Sequence, residues 1–367
     1  MDEVPVQLMR TSERSTFRRC QQKWWWKYHR LLSHPKPKGA LSFGTLIHTA
    51  LEGWYPPGVK RGIHPVETFL KAYEANQEQF SQWDDEGNKI PADELGVVML
   101  EGYLQEHGDD EDIEILAPEQ TFAIDVMDKR GQYLITYVGK IDATARRRST
   151  GKLLLLEHKT AKSVEEVKII SGYGEQGLSY LWAATIMLRD MGTIGPDDFF
   201  DGVLYNFLRK GLPDDRPRNE AGYYLNKPSK AALVNACEEN ELPVKGTIAQ
   251  LTERLRNVGW SVQDVQQLGE VSKVQHTPLF DRQEVIVSPA SLDRFELRIR
   301  AEAWTMNQLR QGKLPVFKNP TKDCKWDCEF QGMCELHEMG GDWRSYAELE
   351  LGTWQPYSDH EYMAEKG

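Results

Sequence analysis

The sequence predicts an α/β protein with a mixed central sheet flanked by helices. Four leucines at 153–156 form an apolar run that ends abruptly at Glu157, as expected for a buried strand. Residues 202–209 have the pattern of a second strand, and longer segments on either side have the apolar spacing of helices. A chain of 367 residues with 40% hydrophobic side chains is large enough for a substantial core.

Polar side chains follow the leucine strand directly. Side chains of a strand alternate between its two faces, so Glu157 and Lys159 are expected on one face and His158 on the other. We expect residues 133–145 to form the antiparallel neighbour of this strand, with Gly151 in the turn between the two. Asp142 would then lie opposite Glu157.

Two carboxylates and an ammonium at one strand end suit metal-assisted cleavage of a phosphodiester. Mg²⁺ and Mn²⁺ prefer oxygen ligands, which Asp142 and Glu157 would supply. Lys159 would stabilise the attacking water or the developing negative charge. The alternative is an ordinary strand end with a surface ion pair, and these three residues alone do not decide between the two interpretations.

Composition and charge limit the function classes. The net charge of −11 argues against a nonspecific coat on nucleic acid. The first predicted helix is nevertheless basic and could form a local groove; its cations are Arg10, Arg14, Arg18, Arg19, Lys23, Lys27 and Arg30. No apolar run approaches the roughly 18 to 20 residues of a membrane span, and the first residues lack signal-peptide features. We therefore expect a soluble, cytoplasmic protein.

Two predicted helices near the N-terminus carry candidate functional side chains. The first runs from an N-cap at Ser12 to Tyr28, and it contains Cys20 and a tryptophan cluster that we assign to the core. The second begins at Gly44 and places His48 and Glu52 four residues apart, hence on one face. A single helical histidine is more often a packing or capping residue, but imidazole is also a metal ligand.

Further elements complete the predicted core. Residues 65–107 are predicted to be helical and then loop-like, and an acidic connection at 109–114 leads into a first strand at 115–124. The helix predicted after the leucine strand places Gln176 and Tyr180 on one face, so that an amide and a phenol lie together.

Residues 213–278 interrupt this pattern. Two helices, at 229–240 and 247–258, are joined by a short extended link and resemble the helix-extension-helix modules of the SAP type, which are often associated with DNA. A nucleic-acid contact and a plain surface insertion both remain open. The core resumes at a strand, 284–287, and a long helix, 291–311. We thus expect four regions: a helical segment and core at 1–212, the insertion at 213–278, the rest of the core with a cysteine cluster at 279–341, and an acidic tail at 342–367.

The cysteines indicate a second metal site. Cys324, Cys328 and Cys334 form a C-x3-C-x5-C cluster in a predicted loop, and such a cluster in an intracellular protein favours metal binding over disulfides. Three thiolates need a fourth ligand. Cys20 is the natural candidate, because Cys237 falls inside the insertion. Four thiolates suit either a [4Fe-4S] cluster or a structural zinc, and the spacing does not separate the two.

These motifs, taken in order, resemble the RecB-like branch of the PD-(D/E)XK nucleases. Within that branch the chain is most similar to the iron–sulfur group that includes the CRISPR-associated nuclease four and the nuclease domain of AddB. The motifs that carry the resemblance are G-x-x-x-H-x-x-x-E from Gly44 to Glu52, Gly-Lys-Ile-Asp ending at Asp142, Glu157-His158-Lys159, Gln-x-x-x-Tyr at Gln176 and Tyr180, and one early cysteine with three late ones.

The resemblance implies roles for these residues. His48, Asp142 and Glu157 would ligate the catalytic Mg²⁺ or Mn²⁺ together with the backbone carbonyl of His158. Lys159 would be the catalytic lysine, and Gln176 and Tyr180 would contact DNA or orient the site. Cys20, Cys324, Cys328 and Cys334 would hold a [4Fe-4S] cluster. One departure is that three residues separate the first two late cysteines, where the family usually has two.

The resemblance implies a PD-(D/E)XK restriction-endonuclease-like core with a C-terminal iron–sulfur loop and a small helical insertion. The expected activity is a DNA exonuclease that acts on single strands or DNA ends in recombination, repair, phage DNA processing or CRISPR adaptation, with proteins of those pathways as partners. No G-x-x-x-x-G-K-[ST] motif occurs, so an ATP-driven motor is not expected in this chain. The alternative is a non-catalytic nucleic-acid-binding protein with a structural metal–cysteine site.

Overall fold

The computed structural model describes residues 7–33, 43–77, 83–85, 88–275, 278–346, 350–351 and 356–357. The helices of these residues are α1 Thr11–Arg19, α2 Gln21–Trp24, α3 Phe43–Trp54, α4 Pro65–Glu74, α5 Ala92–His107, α6 Val164–Tyr173, α7 Glu175–Asp190, α8 Lys230–Glu239, α9 Ile248–Asn257, α10 Val262–Gln267, α11 Pro289–Arg310, α12 Cys324–Asp327 and α13 Gln331–Glu338. The strands are β1 Leu8–Met9, β2 Leu32–Ser33, β3 Trp83–Asp85, β4 Asn88–Ile90, β5 Ile113–Ala117, β6 Gln120–Met127, β7 Tyr133–Ile141, β8 Ala143–Arg147, β9 Leu153–Ala161, β10 Gly202–Arg209, β11 Phe280–Ile286 and β12 Glu350–Leu351. Among the helices described, none is long and apolar enough to cross a membrane.

Two sheets meet at Asp142. One has five strands in the order β11-β10-β9-β8-β5, and the other has three in the order β1-β7-β6. The prediction of one strand at 133–145 was wrong in this respect, because the chain bends at Asp142 and passes from one sheet to the other. Only the part after the bend pairs with the leucine strand, and Ala143 lies opposite Leu156 in that antiparallel pair.

The predicted strand at 115–124 is also two strands. The ladder of β5 ends at Ala117, and β6 begins at Gln120 in the other sheet. Pro118 lies between them, and proline lacks the N–H that a continuous ladder would need. The strands β3 and β4 fall in the segment that the sequence pattern assigned to helix and loop.

The leucine strand is the centre of the five-stranded sheet. Strand β9 runs parallel to β10, and all eight residues of β10 are buried. A parallel pair is normally covered on both faces, which explains the continuous apolar run in place of alternation. Helices α7 and α11 contribute apolar side chains to the same core, including Leu181 and Phe295. This packing fixes Glu157, which lies in the middle of β9. The prediction that the strand ends at Glu157 was wrong, because β9 continues beside β10 to Ala161.

The predicted helix from Ser12 to Tyr28 is broken at Cys20. Its first part, α1, begins at Thr11 with Arg10 as the N-cap residue, so the predicted N-cap at Ser12 was wrong. Cys20 has an extended backbone that ends α1, after which α2 continues into a π-helical turn, Trp25–His29. The core assignment is confirmed for the outer two tryptophans of the cluster, because Trp24 and Trp26 are buried, whereas Trp25 between them is half-buried.

The cysteine cluster was predicted as a loop, but it contains the short helices α12 and α13. The apolar positions of these helices pack with the N-terminal aromatic residues, since Phe330 and Met333 form one buried cluster with Trp26 and Leu32. Tertiary packing therefore supplies helical order that the local sequence pattern does not show.

The chain divides into two compact units, and the second is Gly211–Leu279. Its small core is built from α8, α9 and α10. Ser229 caps α8, and Thr247 and Gln250 form a reciprocal capping box at the start of α9. Cys237 is fully buried in this core. Most of the predicted acidic tail at 342–367 lies outside the described residues.

A close approach of α7 to β10 provides a stability test. A Cβ at Gly177 would lie 2.3 Å from the Tyr205 hydroxyl, whereas a Cβ at Gly172 of α6 would meet nothing within 4 Å. We expect Gly177→Ala to lower the free energy of unfolding by about 1–3 kcal/mol through overpacking. The control Gly172→Ala should be neutral or slightly stabilising, because alanine favours helix. Urea denaturation measures both; equal effects would contradict the overpacking.

Candidate active site

The bend between the sheets brings the two predicted carboxylates together. Since Ala143 pairs with Leu156, Asp142 and Glu157 are the next residues on each strand. The Asp142 Oδ2 atom accepts a hydrogen bond of 2.8 Å from the backbone N–H of His158. Glu157 is 5% exposed, and burial raises its pKa, with the charge of Asp142 adding to the rise. Two neighbouring carboxylates, one buried and one half-buried, create a strong demand for positive charge.

His48 meets this pair from α3. Its Nδ1 atom lies 3.1 Å from Asp142 Oδ1. Burial lowers the pKa of His48, but the adjacent carboxylate of Asp142 outweighs burial and leaves this pKa above its usual value. The same contact outweighs the effect of burial on Asp142 and lowers the pKa of that carboxyl. Glu52, one turn further along α3, lines a small cavity with His48 and Asp142.

Lys159 neutralises the second carboxylate. Its Nζ lies 2.6 Å from Glu157 Oε1 and 3.0 Å from Gln176 Oε1. Burial lowers the pKa of Lys159, but the neighbouring Glu157 carboxylate outweighs it and raises the pKa above the usual lysine value. Lys159 is therefore charged at neutral pH, and two partners fix its position.

Gln176 extends this chain of contacts to α7. Its Nε2 group donates to Tyr180 Oη at 3.2 Å and lies 3.4 Å from Glu157 Oε1. Helix α7 begins at Glu175, so the amide comes from its first turn and the phenol from one turn later. The structure thus brings together His48 and the five residues predicted as catalytic, which are Asp142, Glu157, Lys159, Gln176 and Tyr180.

The imidazole of His158 lies on the other face of β9. It is 3% exposed, and it stacks on Tyr55 with ring centroids 5.6 Å apart. Burial lowers the pKa of His158 to about 3, so the ring is neutral. Its predicted part in metal binding concerns the backbone carbonyl and remains a prediction.

A second cavity, of about 490 Å³, collects four of the cysteines. Cys20, Cys324, Cys328 and Cys334 all line it. All four are free thiols, and burial raises the pKa of Cys328 and Cys334. Cys237 does not line this cavity, because it belongs to the core of the second unit.

Comparison with protein families matches residues 11–335 to the PD-(D/E)XK nuclease superfamily. The match includes every predicted site residue and all four cysteines of the cavity. This chain belongs to the PD-(D/E)XK nuclease superfamily.

Comparisons with individual proteins add little detail to the superfamily assignment. One similar solved structure is a crystal structure of a protein described as a candidate exonuclease from Eubacterium rectale, with 10% sequence identity and a TM-score of 0.45. The alignment covers 88% of this chain and 87% of that chain. No curated protein matches the sequence.

The donor set of the candidate nuclease site fits a hard divalent cation, the class of metal that PD-(D/E)XK nucleases typically use. Asp142 and Glu157 offer carboxylate oxygens and His48 offers a ring nitrogen. In the described part of the chain, no three His, Cys, Asp or Glu side chains are arranged to hold one metal ion. The donor atoms are instead engaged with protein partners, since His48 contacts Asp142 and Lys159 contacts Glu157.

A polar network on the His158 face of β9 was not predicted from the sequence. Asn206 of β10 has its Nδ2 atom 3.4 Å from His158 Nδ1, and its Oδ1 atom accepts from Arg282 Nε at 2.6 Å. Arg282 also pairs with Asp110 at 2.6 Å. The available signal was a polar residue in the middle of a strand that is otherwise almost wholly apolar. The network anchors His158, whose backbone N–H holds Asp142.

Removal of the Asn206 amide tests this network. Asn206→Ala leaves the half-buried Arg282 guanidinium without an acceptor for its Nε–H, so we expect the free energy of unfolding to fall by about 1–3 kcal/mol. The matched control is Asn76→Ala, which removes a half-buried amide that bonds the Ala72 carbonyl and should cost less. Thermal and urea unfolding of both variants measure the two losses. If the control loses as much free energy of unfolding as Asn206→Ala, the network contributes no more to stability than an ordinary half-buried amide does.

Proposed function

We propose that this nuclease is a metal-dependent deoxyribonuclease of the exonuclease type that acts on single-stranded DNA or DNA ends. The observation that carries the proposal is the convergence of four side chains on one position of β9. They are Asp142, Glu157, Lys159 and Gln176. An ordinary surface ion pair would be exposed, yet the Glu157 side chain is only 6% exposed. Burying these charged side chains costs stability. A catalytic role for them explains why they are nevertheless held at this position.

In this proposal His48, Asp142 and Glu157 hold a divalent cation, Mg²⁺ or Mn²⁺, with the carbonyl of His158. When bound, the cation would polarise the phosphate and lower the pKa of a coordinated water. Lys159 supplies a fixed positive charge next to the carboxylates, where it stabilises negative charge that develops on the phosphate. Gln176 holds the lysine ammonium from the other side, and Tyr180 holds the amide of Gln176. Orientation of Lys159 therefore depends on α7.

We also propose a [4Fe-4S] cluster bound by Cys20, Cys324, Cys328 and Cys334. Tetrahedral zinc would need four sulfurs within about 2.3 Å of one point. The four thiols line, together with other side chains, a cavity of about 490 Å³, which has room for a group of several atoms. The apolar side chains of Trp26 and Phe330 also line the cavity, which suits a cluster kept away from water.

The cysteine cavity supports placement of the chain with the iron–sulfur group that includes the CRISPR-associated nuclease four and the AddB nuclease domain. Ion pairs also join the N-terminal helices to the segment that carries the late cysteines. Arg19 pairs with Asp327, and Lys27 pairs with Glu329. Proteins of recombination, phage DNA processing or CRISPR adaptation are the partners that this placement implies, and it fits a cytoplasmic, phage-encoded enzyme.

Substitution of Glu157 or Lys159 in β9 tests the nuclease activity. Glu157→Ala and Lys159→Ala should each lower the cleavage rate about a thousandfold or more, because transition-state charge stabilisation is lost. Lys152→Ala is the matched control, since Lys152 precedes the same strand and pairs with Glu284 at 3.3 Å. End-labelled single- and double-stranded DNA with Mn²⁺ provides the assay. Near-normal cleavage by Glu157→Ala protein would refute the assignment.

Replacement of single cysteines tests the cluster. Cys20→Ser should lose iron and acid-labile sulfide and should unfold at lower temperature, because ligation closes a loop of about 300 residues that is worth about 5 kcal/mol in a chain-entropy model. Cys237→Ala is the control and should retain iron. The measurements are metal and sulfide content, visible absorption and melting temperature of anaerobically purified protein. Bound zinc without iron would overturn the cluster.

A further inference from the structure

A third cavity, of about 900 Å³, includes Gln176 and Tyr180 of the candidate active site in its lining. Other lining residues come from α1, from the end of β7, and from the junction of α6 with α7. We propose that this cavity binds the single strand of DNA that leads to the cleavage position. The inference rests on the proposed nuclease function, and it assigns the substrate path of that site.

Positive charge on one wall fits a phosphate backbone. Arg10, Arg18 and Lys140 line the cavity, with Glu175 as the one carboxylate among the lining residues. The charge of Lys140 is compensated by an ion pair with Glu119, so the positive charge comes from the arginines. Glu175 is already neutralised, since Arg14, Arg18 and Arg298 lie 2.9, 2.6 and 2.7 Å from its oxygens. Glu302 shares two of these arginines. Three guanidinium groups thus face two carboxylates, and one positive charge remains beside the cavity, where a polyanion would be attracted.

Hydroxyl groups and an apolar edge complete the lining. Ser12 and Ser15 are exposed on the same face of α1 as Arg18, and hydroxyls commonly donate to phosphate oxygens. The Ser12 Oγ atom accepts from Tyr28 Oη at 3.1 Å, so its own proton can go to another acceptor. Ile170 of α6 also lines the cavity and is 68% exposed. A lining that combines an exposed apolar side chain with cations suits the bases and the phosphates of a nucleic-acid strand.

The mixed lining of the cavity favours one strand over a duplex. A single strand presents its bases as well as its phosphates to a protein surface, whereas a duplex keeps its bases stacked inside. The strand would also reach the chemistry directly, since Gln176 belongs both to the cavity wall and to the contacts of Lys159.

The test measures binding separately from cleavage. Full-length protein in EDTA is titrated into a short fluorescein-labelled oligothymidylate, and anisotropy gives the affinity as a function of salt. The variants are Arg18→Gln, which removes a cation, and Ser15→Glu, which adds an opposing charge without removing an ion pair. Arg300→Gln is the matched control, because the side chains of Arg300 and Arg18 are similarly exposed, at 37% and 35%. Arg300 lies outside this cavity and pairs with one carboxylate, that of Glu296. Melting temperatures verify that each variant is folded.

We expect Arg18→Gln to weaken binding about fivefold at about 0.1 M salt and to reduce the salt slope by about 0.7, the value for one phosphate contact on a single strand. Ser15→Glu should weaken binding at least as much, and Arg300→Gln should leave it unchanged. A blunt duplex should bind less tightly than oligothymidylate. Unchanged binding by folded Ser15→Glu protein, or equal losses in the Arg300→Gln control, would overturn the strand path, and tighter binding of oligouridylate would overturn DNA as the occupant.

Cleavage of the same oligothymidylate by wild-type protein with Mn²⁺ separates this inference from the proposed function. If the wild type cleaves DNA and the cavity variants bind normally, the strand path is wrong and the nuclease function stands. If the variants lose binding and the wild type cleaves nothing, the cavity binds single strands and the nuclease function fails.

Discussion

The placement of two neighbouring carboxylates, half-buried Asp142 and buried Glu157, is the constraint on which the rest of the structure depends. Each carboxylate would be costly to bury alone, so each has its own cationic or N–H partner. Asp142 contacts His48 and the N–H of His158, and Glu157 contacts Lys159. These partners come from α3, β9 and, through Gln176, from α7. The helices must therefore hold fixed positions on the sheet. One apolar cluster joins Leu153 and Leu155 of the leucine strand to side chains of α7 and α11 and supports these positions.

The polar groups on the other face of β9 serve the same constraint. His158 is neutral because burial lowers its pKa to about 3, so it adds no charge to the site. Its ring is held by Tyr55 and Asn206, and its backbone N–H is thereby held toward Asp142. The strand is thus fixed by a neutral network on one face and by compensated charges on the other. A shift of β9 along its neighbours would break both sets of contacts at once.

The sequence was sufficient to predict the α/β class, the buried leucine strand and the helical positions of His48 and Gln176, because these depend on local periodicity. It was not sufficient for the end of that strand, because pairing with β10 extends β9 past the apolar run to Ala161. It was not sufficient for the bend at Asp142, where one apparent strand joins two sheets, since either sheet would satisfy the same apolar pattern. The break at Cys20 was missed for a related reason: the helical pattern continues across it, and only distant residues around the cysteine cavity favour the extended backbone. Asn206 and Arg282 were missed because their partners are remote in sequence.

The basic N-terminal helix shows how an acidic protein can present a local cationic surface. Its cations were one cluster in the sequence, but the fold divides them among three tasks. Arg14 is buried between Glu175 and Glu302, and Arg19 and Lys27 pair with the cysteine segment. Arg10 and Arg18 remain along the cavity beside Gln176. Because charges are screened over about 10 Å at 0.1 M salt, a strand in that cavity would be influenced by these nearby cations far more than by the net charge of −11. Local charge placement, not overall composition, therefore decides whether this chain can attract a polyanion to the residues around Glu157.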